Sequence, residues 1–318
     1  MILQIKNLKT YFLNNNKTGK AVDDVSLDIP RNKITAIVGE SGCGKSVTAL
    51  SILKLISPPG EIVSGEILYN GKNILKYGEK EMRQIRGKEI SMIFQDPMNS
   101  LNPVLTIGEQ LVETILTHLQ FSKKASEQLA VEMLKKVALP EPEKVFGSYP
   151  HQLSGGMKQR VMIAIALSCS PKLLIADEPT TALDVSIQQE ILKLLLRLKE
   201  EENLTIIFIT HDFRVVKEIA DYVAVMYAGK IVEKRSKQNI FGNPLHPYTI
   251  GLLNSLPPIT EKIKKLPVIS GNVPDIYSFK KGCRFFERCV KANEKCKGNE
   301  IALYKPEKNE FLLCAQYA

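Results

Sequence analysis

Eight residues, Gly39-Glu40-Ser41-Gly42-Cys43-Gly44-Lys45-Ser46, constrain this chain more than any other stretch. They follow the apolar run Ile34–Val38 and lead into Val47–Leu53, whose composition suits a helix. A strand, a G-x-x-x-x-G-K-S turn and a helix in that order form a phosphate-binding loop. The glycines let the backbone turn tightly and aim its N–H groups inward, and the helix N-terminus adds partial positive charge. Lys45 offers a point charge to β- and γ-phosphates, and Ser46 offers a hydroxyl to Mg²⁺. The competing reading is a glycine-rich turn with no nucleotide. The apolar strand placed directly before the loop argues against it.

At 318 residues the chain has room for two domains, or one large domain with an appendix. It contains no apolar run of about 18 residues, the length a membrane-spanning helix needs. Met1–Lys6 alternates like a strand and lacks the layout of a signal peptide. The expected location is therefore the cytoplasm, with any membrane association made through another protein. A net charge of +9 could suit nucleic acid, but Lys and Arg are scattered, which favours a solvated basic surface. Six cysteines without an export signal are not expected to form structural disulfides.

Residues 2–9 and 22–29 read as amphipathic strands around the polar turn Asn14–Gly19. Tyr11 and Phe12 end the first strand, where an aromatic ring can stack on a base or simply fill a core edge. Residues 65–70 form another strand, closed by the hairpin signal Asn70-Gly71. Glu89–Phe94 is an apolar strand with the amide of Gln95 at its end. Helical periodicity occupies 107–138, and Pro140 and Pro142 end it. Leu153-Ser154-Gly155-Gly156-Met157-Lys158-Gln159-Arg160 then opens the helix Val161–Cys169, and its two glycines make a second nest of inward N–H groups. Leu173–Ala176 is wholly apolar, as in parallel sheets buried on both faces, and ends in Asp177 and Glu178. Asp177 suits Mg²⁺ held through water, and Glu178 suits a general base for a hydrolytic water. The plain alternative for this carboxylate pair is a helix N-cap. Ala182-Leu183-Asp184 starts a further helix, the buried strand Leu204–Thr210 ends at His211, and Val223–Val232 reads as a hairpin. Alternating strands and helices make an α/β core, whose ligands bind at the carboxyl ends of the strands.

Taken together, these motifs resemble the ATP-binding subunit of an ABC transporter. The Walker A loop is Gly39–Ser46, the Q-loop residue Gln95, the signature Leu153–Gly156, Walker B Leu173–Asp177, the D-loop Ala182–Asp184 and the switch histidine His211. The signature's next position departs from the commonest form, carrying Met157 where glutamine is usual. The resemblance spans residues 1–235 and implies an α/β fold: a P-loop NTPase (RecA-like) core, an antiparallel β subdomain and a helical subdomain near 96–160. It implies ATP bound by Gly39–Val47, with Phe12, or Tyr11 as the alternative, on adenine. It implies Mg²⁺ at Ser46, Gln95 and Asp177, and catalysis by Glu178 and His211. Two cassettes would pair head to tail, so that Ser154, Gly155 and Gly156 meet the partner's ATP and Asp184 ties the two sites together.

The tail, 236–318, narrows the resemblance to dipeptide and oligopeptide permease ATPases through Asn243-Pro244-Leu245-His246-Pro247-Tyr248-Thr249 and four later cysteines. Cys283, Cys289, Cys296 and Cys314 stand with 5, 6 and 17 residues between them, lacking the C-x₂-C knuckle usual for structural zinc. Read from the residues, they leave Zn²⁺, an iron–sulfur cluster and unligated thiols open. Lys281, Arg284, Arg288, Lys291, Lys295 and Lys297 form a basic surround that would offset a thiolate-bound cluster. The resemblance implies a [4Fe-4S] cluster here, with Zn²⁺ the alternative. The tail lies far in sequence from the phosphate-handling motifs, so its expected role is structural or docking, with ATP affinity independent of it.

The function implied is ATP-driven import of di- or oligopeptides. The partners implied are a second ABC ATPase subunit (a paralogue in a heterodimer), two transmembrane permease subunits and an extracytoplasmic peptide-binding protein, with no nucleic acid. The location implied is the cytoplasmic face of the membrane, as a peripheral subunit. The alternatives are an importer subunit for nickel or another small solute, and a soluble ABC ATPase acting on nucleic acid or ribosomes. The interval from Ser46 to Leu153 is too short for a long coiled coil and has no sustained heptads, and the chain holds one cassette where ribosome-acting relatives hold two.

Overall fold

The computed structural model describes residues 1–14, 17–96, 100–181, 183–256, 267–298 and 300–317. The chain divides into two compact units, Met1–Leu75 with Ile209–Ala318, and Lys76–Phe208.

The first unit begins with an antiparallel sheet in the order β2-β1-β4-β5, formed by β1 (Leu3–Asn14), β2 (Lys17–Ile29), β4 (Gly60–Tyr69) and β5 (Lys72–Asn73). Strict alternation fails in β1 because the register with β2 shifts between Ile5 and Leu8, at Asn7 with φ 48°. The extra residue returns Leu8 and Thr10 to the buried face. The other strands of this unit run β11-β10-β9-β3, from β3 (Ile34–Val38), β9 (Tyr222–Tyr227), β10 (Lys230–Ser236) and β11 (Phe311–Leu312). β3 is buried at all five positions and lies parallel to β9, as its unbroken apolar run requires. Helix α1 (Lys45–Ile52) follows β3 through the phosphate loop. After β10 come α9 (Lys237–Gly242), α10 (Pro247–Asn254) and largely irregular chain before β11, which pairs with β10 at Glu233↔Leu312. The expected tail is therefore part of this unit's sheet.

The second unit holds β6 (Ile90–Ile93) and β7 (Leu173–Asp177) in parallel, with β8 (Thr205–Thr210), of which residues 205–208 belong to this unit, beside β7. Its helices are α2 (Glu79–Ile85), α3 (Ile107–His118), α4 (Lys123–Lys136), α5 (Pro142–Phe146), α6 (Gly155–Leu167) and α7 (Val185–Glu201). The helical block expected over 107–138 is two helices, because each start carries its own cap. Thr106 and Glu109 exchange hydrogen bonds at the start of α3, and the Ser122 hydroxyl accepts the Ala125 N–H at α4. An α/β core, an antiparallel sheet and a helical part are all present, matching the fold class expected. Among the described residues no helix is long and apolar enough to cross a membrane.

Candidate functional site

The phosphate loop is shaped by how closely other backbone passes it. A Cβ on Gly39 would lie 2.1 Å from the Met226 carbonyl oxygen, and one on Gly44 would lie 2.3 Å from that of Ala21. Gly44 also takes φ 106°, the left-handed conformation that starts α1. Ser41 and Gly42 face solvent, Ser46 and Val47 are half-buried, and Cys43 is wholly buried, which pushes its thiol pKa up. Lys45 is buried, its ammonium donating to the carbonyls of Gly39 at 2.9 Å and Glu40 at 3.1 Å.

The aromatic pair of β1 divides by environment. The Tyr11 hydroxyl donates to Asp23 at 2.6 Å, while the half-buried Phe12 ring packs beside Gly60. Burial and that hydrogen bond raise the Tyr11 pKa. His211, one past the end of β8, is exposed and precedes Asp212, which caps helix α8 (Phe213–Ile219) by accepting the Arg214 N–H at 2.8 Å.

The second unit carries the other candidates. Asp177 ends β7 and is buried, and Glu178 follows it with φ 47°. Glu178 Oε2 accepts from the Gln95 amide at 3.2 Å and from the Thr181 hydroxyl at 3.0 Å, so two residues 83 positions apart meet. Ser154 is the N-cap of α6, its hydroxyl accepting the Met157 N–H at 3.3 Å, with exposed Gly155 and half-buried Gly156 as the first helical residues. Asp184 is exposed at the N-cap position of α7. Ala182 of the expected D-loop lies outside the described residues.

The tail supplies what the sequence reading missed. Arg288 makes two parallel bonds to the carboxylate of Glu40, and the Glu40 N–H donates to the Tyr248 hydroxyl at 3.0 Å. Arg284 pairs with Asp23, the acceptor of Tyr11, and donates to the Ala228 carbonyl. Burial would raise the Asp23 pKa, but the Tyr11 hydrogen bond and the Arg284 charge outweigh it and lower it. Tyr227, Tyr248 and Phe285 pack ring against ring, with centroids 4.6 to 5.3 Å apart. The tail, remote in sequence from the phosphate loop, therefore meets it in space. Sequence distance hid the contact, although the proline–histidine–tyrosine segment pointed to a specialised tail.

The four tail thiols share one neighbourhood. The Cys283 N–H donates to the Cys296 carbonyl at 2.9 Å, and Cys283 and Cys289 pack on the same buried cluster. The Cys283 thiol is pushed up to about 11, first by burial and then by the charges of Cys296, Cys314 and Cys289. The donors suit a soft metal, yet among the described residues no three His, Cys, Asp or Glu side chains are placed to hold one. As the side chains stand, they do not fit a four-thiolate centre. The basic surround is also weaker than its composition suggests, since Arg284, Arg288 and Lys297 each pair with a carboxylate.

Comparison with known proteins bears on both ends of the chain. The ABC transporter family model matches residues 22–181, and the model of the oligopeptide/dipeptide transporter C-terminal region matches 232–296. The oligopeptide transport ATP-binding protein AppD of Bacillus subtilis is 50% identical over 99% of this chain and 97% of its own. The dipeptide transport ATP-binding protein DppD of Escherichia coli is 45% identical over 95% of this chain and 92% of its own. Among solved structures, the dimeric ATP-binding cassette MJ0796 in a post-hydrolysis state with ADP and Pi superposes with a TM-score of 0.67. It is 29% identical and covers 74% of this chain and 98% of its own.

Proposed function

Because the chain belongs to the ABC transporter ATP-binding proteins, in the branch carrying the oligopeptide/dipeptide C-terminal region, we propose that it powers peptide import by hydrolysing ATP. The observation that carries this reading is the pair of matches on one chain, a cassette followed by the peptide-transporter tail, with relatives aligned nearly end to end. The same tail favours transport over a soluble ATPase working on nucleic acid or ribosomes. The cassette is residues 1–235 and the extension 236–318.

ATP and Mg²⁺ are the ligands of such ATPases. Here the N–H groups of Gly39–Val47 and the Lys45 ammonium would hold the phosphates and Ser46 would be a Mg²⁺ ligand, while in the second unit Gln95 and Asp177 are the candidate Mg²⁺ ligands. Phe12 is the better adenine platform, because the Tyr11 hydroxyl is already committed to Asp23. Glu178 takes the proton of the attacking water, and His211 contacts the γ-phosphate. Ser154, Gly155 and Gly156 serve the ATP of a partner cassette, and Asp184 links the two sites. That partner is a paralogous second ATPase, and the pair docks on two permease subunits fed by a peptide-binding protein, at the cytoplasmic face of the membrane.

A [4Fe-4S] cluster on Cys283, Cys289, Cys296 and Cys314 is the finer reading of the tail, supported by four neighbouring thiols and opposed by their present arrangement. No step of hydrolysis runs through it. Anaerobically purified protein with about four irons and four sulfides per chain would support it, and one stoichiometric zinc or no metal would overturn it. The transport reading is tested in cells whose only copy is Glu178→Gln. Uptake of a labelled oligopeptide should stop while nickel uptake continues. Continued peptide uptake, or loss of nickel uptake alone, would refute the peptide assignment.

A further inference from the structure

We propose that the cysteine-bearing tail is a working part of the nucleotide site, in which Arg288 acts through Glu40 to position the phosphate loop and Lys45. The inference rests on reading Gly39–Ser46 as the ATP-phosphate loop. Glu40, the loop's second residue, is held at three places. Its carboxylate receives Arg288 Nη1 at 2.7 Å and Nη2 at 2.9 Å, a bidentate charge-assisted contact. Its N–H is taken by the Tyr248 hydroxyl, and its carbonyl receives Lys45 Nζ at 3.1 Å. The ammonium that meets the phosphates thus hangs from two carbonyls, and one belongs to the residue the tail grips.

Arg288 is itself fixed. Its Nε donates to the Ser270 carbonyl at 2.9 Å, and its guanidinium lies 5.7 Å from the centre of the Tyr227 ring. Only 6% of its side chain is exposed, against 32% for Glu40, so water competes weakly at the arginine end. A second route runs from Arg284, which binds the Ala228 carbonyl in the turn whose next residue, Gly229, donates its N–H to the Cys43 carbonyl at 2.9 Å. Two arginines, each beside a cysteine, therefore brace the loop at Glu40 and at Cys43. Neither would touch ATP, so both are positioning residues.

The test measures binding of a fluorescent ATP analogue with Mg²⁺ to the full chain, with melting temperature recorded for every variant. Wild type should bind and Lys45→Ala should not; absence of binding in wild type would sink the ATP reading itself. Given that baseline, Arg288→Met and Glu40→Gln should each raise Kd roughly three- to tenfold. The double variant should be no worse than the weaker single, because both remove one contact. Arg288→Lys should recover part of the affinity through a single charged bond. In the assembled transporter KM should rise with kcat at saturating ATP little changed, whereas a merely unstable chain would lose kcat. If Arg288→Met does not fold, Tyr248→Phe carries the test by deleting only the hydroxyl that accepts the Glu40 N–H. Unchanged Kd in the folded variant, or additive losses in the double, would overturn the proposal.

Discussion

Glu178 occupies a left-handed backbone position, φ 47°, that a residue with a side chain adopts only when its surroundings hold it there. Here the Gln95 amide and the Thr181 hydroxyl both meet its Oε2. Two donors on one oxygen hold the carboxylate in place, and a positioned carboxylate is what a general base needs. Glu178→Gln preserves the shape and removes that basicity. We expect ATP binding to persist while steady-state turnover in the assembled transporter falls 10²-fold or more, the usual scale of a lost acid–base step. Turnover near the wild-type rate would show that another group takes the proton. The strand-end position of Asp177 and Glu178 was legible in sequence, because two carboxylates after a wholly apolar run mark where a buried strand stops. The meeting of Glu178 with Gln95 was not, since a strand-end amide carries no sign of its partner.

The elements were legible wherever the chain makes its own boundary. A helix start was legible at the glycine pair Gly155-Gly156, and there the Ser154 hydroxyl accepts the Met157 N–H as the cap of α6. β1 was harder, because the register shift at Asn7 breaks the alternation that marks a strand, so the sequence reading saw alternation over residues 2–9 and ended the strand at Tyr11 and Phe12, while pairing continues to Asn14. The cap makes two losses separable in α6. Ser154→Ala should cost about 1 kcal/mol of stability, as other lost caps do, measured by denaturant unfolding. Ser154→Arg should in addition block nucleotide at the partner cassette's site and leave this chain's own phosphate loop able to bind. Mixed assembly with the second cassette, read by nucleotide occupancy at each site, distinguishes them. Equal loss at the chain's own site in the isolated protein would refute a role across the interface.

At the scale of the whole molecule, the tail escaped the sequence reading because contacts such as Arg288 to Glu40 span 248 positions and follow no periodicity. What ties α10 to this unit predicts an acid sensitivity. His246 caps α10 with Nδ1 accepting the Tyr248 N–H at 3.0 Å, an interaction that only the unprotonated nitrogen can make. Its own N–H donates to Glu233, a buried carboxylate 3.7 Å from Arg235, and its ring faces Phe285. Burial pushes the His246 pKa down to about 3, against a hydrogen bond with the Leu313 backbone that raises it. In the unfolded chain the same group titrates near 6.5, so below that pH the unfolded state binds more protons and stability falls as acid is added. Above about 6.5 both states carry a neutral ring and the effect vanishes. The slope from this residue should approach ~1.4 kcal/mol per pH unit between pH 6 and pH 4. His118 is also lowered, by burial and then Lys88, and adds a part with the same sign. His246→Gln keeps an acceptor for the Tyr248 N–H and has no proton to gain. Denaturant unfolding from pH 8 to pH 4 should therefore give a flatter stability profile for this variant, with the two proteins diverging below pH 6.5. Parallel profiles would show that His246 is already protonated in the fold, and that Nδ1 is not the acceptor capping α10.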